Sequence, residues 1–189
     1  MHKNRAVISI GSNLPSRFGT VLQTVLEAVH RLGQMNGLST IKQSPIYRTK
    51  SWPQGSDQPD YANLAVLVAV QLDAAQLLEA MHTIENAMGR IRAERWGARV
   101  IDLDLLAYED LILPTDALWH SVEESENPAA FLEDVTVPHP RLHKRPFAII
   151  PFADVYPDWI HPVLHLTATE IAEGMNGGKK QPLELYEGN

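Results

Sequence analysis

The chain has 189 residues, 44% of them hydrophobic and 21% charged, a balance that predicts one globular domain with a sizeable core and excludes a disordered chain. It has no cysteine, which excludes a disulfide framework, a thiolate metal site and a cysteine nucleophile and fits a cytoplasmic setting; no apolar run is long enough for a signal segment or a membrane span. The net charge of −7 is local, because Asp116, Glu123, Glu124, Glu126, Glu133 and Asp134 crowd into residues 114–134 without a Lys or Arg, and −7 less those six leaves about −1 elsewhere, too little basic surface for a general nucleic-acid binder.

Residues 5–10 read as a first strand closed by Gly11-Ser12-Asn13, where a tight turn is the simpler reading and a close approach to a ligand the other. Residues 18–32 carry Val21, Leu22, Val25, Leu26, Val29 and Leu32 at helical spacing. Residues 38–48 and 61–72 are β-rich and are joined by a Pro/Gly-rich stretch at 51–59. A second helix is predicted over 74–88, with Leu77, Leu78, Met81, Ile84 and Met88 inward and Gly89 as its stop. Residues 100–108 form the next strand, and Glu109-Asp110 turns it into a short added edge strand at 111–113. Residues 114–134 read as an acidic insertion loop, 135–137 as a brief strand, 145–152 as a helix or strand, and the stretch from about 170 to 189 as a mobile tail of a single domain. The order β-α-β-β-α-β predicts an α+β, ferredoxin-like plan: an antiparallel sheet with helices on one face and the other free for ligands and the C-terminal additions.

The chemistry concentrates between Arg90 and Asp104. Along the strand, Asp102 and Asp104 leave one face about 6–7 Å apart while Ile101, Leu103 and Leu105 leave the other. A lone Asp-x-Asp is commonly a solvated edge. Here Arg90, Arg92, Arg95 and Arg99 precede it, with Trp96 among them. Neighbouring carboxylates are relieved by a hard cation such as Mg²⁺, which completes its shell with phosphate oxygens, and guanidinium groups bind those oxygens bidentately. The conjunction points to phosphoryl transfer. There is no P-loop, no Gly-x-Ser-x-Gly elbow and no His-Glu-x-x-His zinc motif. His139 between two prolines reads first as structural. Tyr61 and Asn63 share a strand face and could stack on and hydrogen-bond a flat heterocycle, or simply pack.

Several segments together resemble the 6-hydroxymethyl-7,8-dihydropterin pyrophosphokinase (2-amino-4-hydroxy-6-hydroxymethyldihydropteridine diphosphokinase) family. They are Ile10-Gly11-Ser12-Asn13-Leu14, Tyr47-Arg48-Thr49, Gln58-Pro59-Asp60-Tyr61-x-Asn63, Gly89-Arg90-x-Arg92, Arg95-Trp96-Gly97-x-Arg99-x-x-Asp102-Leu103-Asp104 and Val137-Pro138-His139-Pro140-Arg141. The resemblance implies transfer of the intact pyrophosphoryl group of ATP to 6-hydroxymethyl-7,8-dihydropterin in folate biosynthesis, by a monomer that needs no nucleic acid and no membrane. It implies two Mg²⁺ ions on Asp102 and Asp104, with Arg90 and Arg99 as further catalytic residues. For ATP, which is the co-substrate, it implies His82, Glu85, Arg92, Trp96, Arg99, Leu105, Thr136, His139 and Arg145. For the pterin it implies Thr49, Lys50, Trp52, Tyr61, Asn63 and Phe147, with the ring held between Tyr61 and Phe147. Loops 11–16, 50–60 and 90–99 are expected to close over the substrates. His82 stands where a Gln is common and Ala98 where a Pro is usual. An RNA recognition motif shares the ferredoxin-like plan, but its Lys/Arg-Gly-aromatic strand signature is missing here. Another Mg²⁺-dependent nucleotidyl or glycosyl transferase would share the aspartate pair without explaining Tyr61, Asn63 and Phe147.

Overall fold

Two helices and a sheet follow from local signals that the chain writes clearly. The computed structural model describes residues 3–51, 58–90, 99–127, 134–175 and 183–186. Strand β1 (Asn4–Ser12) leads to helix α1 (Val21–Gly33), which begins at Val21 because Thr20 and Gln23 form a reciprocal capping box. Strands β2 (Leu38–Gln43) and β3 (Tyr47–Thr49) are one predicted run broken at Pro45, which has no N–H to give to a ladder. Ser44 keeps the two in line, its N–H donating to Ala65 O at 3.0 Å and its Oγ accepting from Ala65 N at 3.0 Å. Strand β4 (Tyr61–Val70) is followed by helix α2 (Ala74–Ala87), capped by Asp73 with Gln76 and stopped at Gly89, whose φ is +92°.

Strand β5 (Asp102–Tyr108) completes the core, and the sheet runs β5-β1-β4-β3, with β2 also pairing β4 and every ladder antiparallel. This is the ferredoxin-like arrangement that the element order predicts. One face packs on α1 and α2 through Ile8, Ile10, Leu64, Val66, Leu77 and Met81. The other is covered over part of its length by α4 (Pro146–Val155) and α5 (Ala168–Gly174), through Val7, Leu67, Ile149, Phe152 and Ile171. Among the described residues, no helix is long and apolar enough to cross a membrane.

Five predicted elements differ. Gly11 and Ser12 do not turn: both stay in β1, paired with Asn63 and Ala62. No edge strand forms at 111–113 and none at 135–137; a single bridge joins Leu113 to Val137, and the prolines that follow each of them cannot extend a ladder. The acidic stretch contains helix α3 (Asp116–Glu123), capped by Thr115 and held down by buried Trp119 and Val122. In the C-terminal stretch, Thr167 and Glu170 form the capping box of α5, and a two-residue strand β6 (Glu184–Leu185) pairs with β3.

Candidate functional site

The site is built outward from Gly11. In the central strand β1, Gly11 pairs with Asn63 of β4 on one side and with Asp102 of β5 on the other; two residues earlier, Ser9 pairs with Ala65 and Asp104. Directly opposed residues in antiparallel strands point to the same face. Asn63, Tyr61, Asp102 and Asp104 therefore share the face that α4 and α5 cover only in part. Glycine is required between them: a Cβ on Gly11 would stand 2.6 Å from Asn63 Oδ1.

On the β5 side the aspartates meet a basic pair. Arg90 Nη1 lies 2.7 Å from Asp102 Oδ1 and also bonds Glu85 Oε1, while Arg99 Nη1 bonds Asp102 Oδ2. Burial, and then the charge of Asp104, push the Asp102 carboxyl above the usual carboxylate range against the pull of the two arginines. Asp102 Oδ1 is buried and, for all its closeness to Arg90, accepts no well-directed hydrogen bond. A hard oxygen donor under that electrostatic load, with a second carboxylate one pleat away, fits a divalent ion of the magnesium type. The three metal-ligand side chains that gather elsewhere among the described residues, His120, Glu123 and Glu124, sit at the end of α3 and its C-cap, and Glu123 Oε1 already has Lys144 Nζ at 2.5 Å.

Glu85 has no exposed side-chain surface and lies beneath the site. Its Oε1 accepts Leu103 N–H at 2.7 Å, which ties α2 to β5 between the two aspartates, and burial pushes its carboxyl up to about 7 against the Arg90 charge and the Leu103 N–H. Leu105 is buried on the opposite face, and His82 lies one turn before Glu85 on α2. Arg99 is anchored by its main chain, which the sequence does not announce: its N–H donates to Asn13 Oδ1 at 2.8 Å and its C=O accepts Asn13 N–H at 3.2 Å. Asn13 Nδ2 also donates to Pro59 O at 3.2 Å, so one buried amide joins Arg99, ahead of β5, to Pro59, ahead of β4. The Gly-Ser-Asn triplet was the available signal.

A second basic group faces the aspartates from the C-terminal half. His139 N–H donates to Leu106 O on β5 at 2.8 Å, and its Nδ1 accepts Arg141 N–H at 3.0 Å. Burial chiefly, and then Arg145, drive the imidazole down to about 3, so it is neutral; with Nδ1 accepting, its proton is on Nε2. Arg145 Nη1 lies 3.5 Å from that Nε2, which puts a charged and a neutral donor side by side. Thr136 uses its hydroxyl on Asp134 O at 3.1 Å.

On the β4 side, Asn63 Nδ2 donates to Thr49 Oγ1 at 2.7 Å, leaving the Asn63 carbonyl toward Gly11. Tyr61 is half-buried, and burial raises its phenol above the usual range. Lys50 Nζ pairs with Asp60 Oδ2 at 3.0 Å, and Phe147 starts α4 with the Arg145 guanidinium 5.8 Å from its ring centre. Of the expected site residues, Trp52, Arg92 and Trp96 lie outside the described residues.

The family described as 7,8-dihydro-6-hydroxymethylpterin-pyrophosphokinase matches residues 7–157. The chain belongs to this family. The pyrophosphokinase is accordingly a transferase of folate biosynthesis. It is 33% identical to a 2-amino-4-hydroxy-6-hydroxymethyldihydropteridine pyrophosphokinase of Synechocystis, over 89% of this chain and 74% of that one. It is 32% identical to the protein of the same name from Haemophilus influenzae, over 83% and 84%. A folic acid synthesis protein of Dictyostelium discoideum is 33% identical over 93% of this chain, which spans only 23% of that longer protein. Among solved structures, Plasmodium falciparum HPPK-DHPS with pteroate superposes with a TM-score of 0.66 at 16% identity, over 93% of this chain and 43% of that one. At that identity the likeness speaks to the fold.

Proposed function

We propose that the pyrophosphokinase binds ATP and 6-hydroxymethyl-7,8-dihydropterin side by side on the sheet face that Gly11 divides, and that Asp102 and Asp104 hold two Mg²⁺ ions between them. The observation that carries this reading is the row Asn63-Gly11-Asp102 across three strands, which sets a heterocycle-binding amide and a metal-type carboxylate one strand-spacing to either side of the glycine. The pterin hydroxymethyl oxygen bonds to the β-phosphorus of ATP, the bond from that phosphorus to the α–β bridging oxygen breaks, AMP leaves, and the hydroxyl proton goes to solvent. Bound magnesium would neutralise phosphate charge and draw the attacking and leaving oxygens together.

The protein's own groups position and stabilise. Arg90 and Arg99, which pair with Asp102, would turn toward phosphate oxygens if the carboxylates were occupied by cations; neither needs to transfer a proton. His139 Nε2–H and Arg145 supply neutral and charged donors to the triphosphate, with Thr136 beside them, and Arg92 and Trp96 are assigned to the same nucleotide by the family resemblance. Tyr61 and Phe147 flank the pterin, Asn63 and Thr49 bond its edge, and Lys50 and Trp52 close that side. A cysteine-free chain suits work in a reducing cytoplasm.

Incubation with Mg-ATP, with and without the pterin, tests the reading: AMP in place of ADP is expected, and only when pterin is present. Asp104→Asn should abolish AMP release while the circular dichroism spectrum and melting point stay near wild type. Retained turnover in that variant would remove Asp104 from the metal site.

A further inference from the structure

The peptide group between Pro138 and His139 is held at both ends. Its carbonyl accepts the indole N–H of Trp119 at 2.6 Å, and its N–H donates to Leu106 O, two residues beyond Asp104 on β5, at 2.8 Å. Trp119 is fully buried in α3, its ring against those of His120, His143 and His161 at centroid distances of 5.2, 6.3 and 5.6 Å. The same stretch is tied to the α3 region at four further points. Leu113 N–H donates to Val137 O at 2.8 Å and Arg141 Nη2 to Asn127 O at 2.9 Å. Glu123 Oε1 meets His143 Nε2 at 3.1 Å and Lys144 Nζ at 2.5 Å.

We propose that α3 is a brace for the nucleotide-side loop and that Trp119 is its positioning residue, fixing His139 and Arg145 relative to the aspartates of β5. The proposal rests on the reading of His139 and Arg145 as ATP-binding groups. Any buried indole needs an acceptor for its N–H, and what distinguishes Trp119 is which acceptor it finds. Here the donor reaches the carbonyl immediately before His139, and the partner of that same peptide lies on the strand that carries Asp102 and Asp104. Helix α3 then acts on catalysis through the loop it braces: it sets the distance between the two anion-binding halves of the triphosphate site.

Trp119→Phe keeps an aromatic ring and removes the donor, which leaves Pro138 O without its buried partner. The dissociation constant for a nonhydrolysable ATP analogue with Mg²⁺, and KM for ATP with it, should rise about tenfold, while the pterin constant stays within about twofold. In a His139→Ala background, Trp119→Phe should weaken nucleotide binding by clearly less than it does in the wild type, because only Arg145 is left to misplace, whereas a general packing defect would add in full. An unchanged nucleotide constant, equal weakening of both substrates, or full additivity with His139→Ala overturns the brace. If Trp119→Phe does not fold, Glu123→Gln at the half-buried end of α3 decides, with about a threefold rise expected and no change overturning the proposal. Direct binding keeps the two readings apart: a wild-type protein that releases no AMP sinks the pyrophosphoryl transfer, whereas the nucleotide constants decide the role of α3.

Discussion

A methyl group at Gly11 would sit 2.6 Å from Asn63 Oδ1 and 3.9 Å from the Tyr61 ring, so the Asn63 amide has to swing away from it. The backbone itself is undisturbed, since Gly11 takes no positive φ and pairs as an ordinary strand residue. Gly11→Ala should therefore fold. Moving the amide breaks its bond to Thr49 Oγ1 and misplaces the polar edge proposed to face the pterin. We expect pterin affinity to fall about tenfold or more, the scale expected for removing one well-placed hydrogen bond, with nucleotide affinity nearly unchanged. Isothermal titration with each ligand separately checks this; equal weakening of both would mean that the methyl group distorts β1 as a whole. The triplet Gly11-Ser12-Asn13 looks like a turn because those residue types favour turns, and only the position of a side chain 52 residues later, Asn63, reveals that the strand continues.

Between elements, Glu85 links helix α2 to strand β5 and to the basic pair. Its Oε1 is the acceptor for Leu103 N–H, a buried main-chain donor in the strand segment between Asp102 and Asp104. Glu85→Ala should cost about 1–3 kcal/mol in a denaturant titration, because that N–H is left unsatisfied. Glu85→Gln keeps an acceptor oxygen and should recover most of the stability, but it removes the charge beside Arg90 and should still lower turnover. If Glu85→Ala is as stable as wild type, the carboxylate does not tie the helix to the strand. In the sequence, Glu85 looks like one more polar residue on an amphipathic helix, since the stripe Leu77, Met81, Ile84 and Met88 accounts for the inward face by itself. The capping pairs Thr20/Gln23 and Asp73/Gln76, by contrast, are legible as spacing alone, and so is the alternation that puts Asp102 and Asp104 on one face. Helix α3 was hidden by its charge: six acids argue for a loop, and the buried Trp119 that decides otherwise is held by a carbonyl nineteen residues away, beyond the reach of any periodicity.

Over the whole molecule, pH acts on buried groups of opposite sign, and the wild-type stability curve mixes them. His161 is fully buried, with Nδ1 accepting the N–H groups of Val163 and Leu164 at 3.2 and 3.3 Å. Burial first, and then His143 and His165, push it from an ordinary 6.5 down to about 4. A histidine depressed in the folded state binds its proton more readily when unfolded. Its contribution is therefore present above about pH 6.5 and is lost as the pH falls from there toward about 4. His139 and His143 act in the same direction. Glu85 opposes them, because its carboxyl is raised to about 7 and ionising it costs stability as the pH climbs from 4.5 to that point. The difference between wild type and His161→Asn isolates one member of this set, since the asparagine oxygen takes over the acceptor role of Nδ1 without titrating. The stability gap measured by denaturant titration should narrow by about 3 kcal/mol as the pH is lowered through that window, following the linkage of about 1.4 kcal/mol per pH unit for one proton. A gap that holds constant from about pH 7 to about pH 4.5 would mean that His161 can take up its proton inside the folded protein, and the buried aromatic cluster behind α3 would then be open to water.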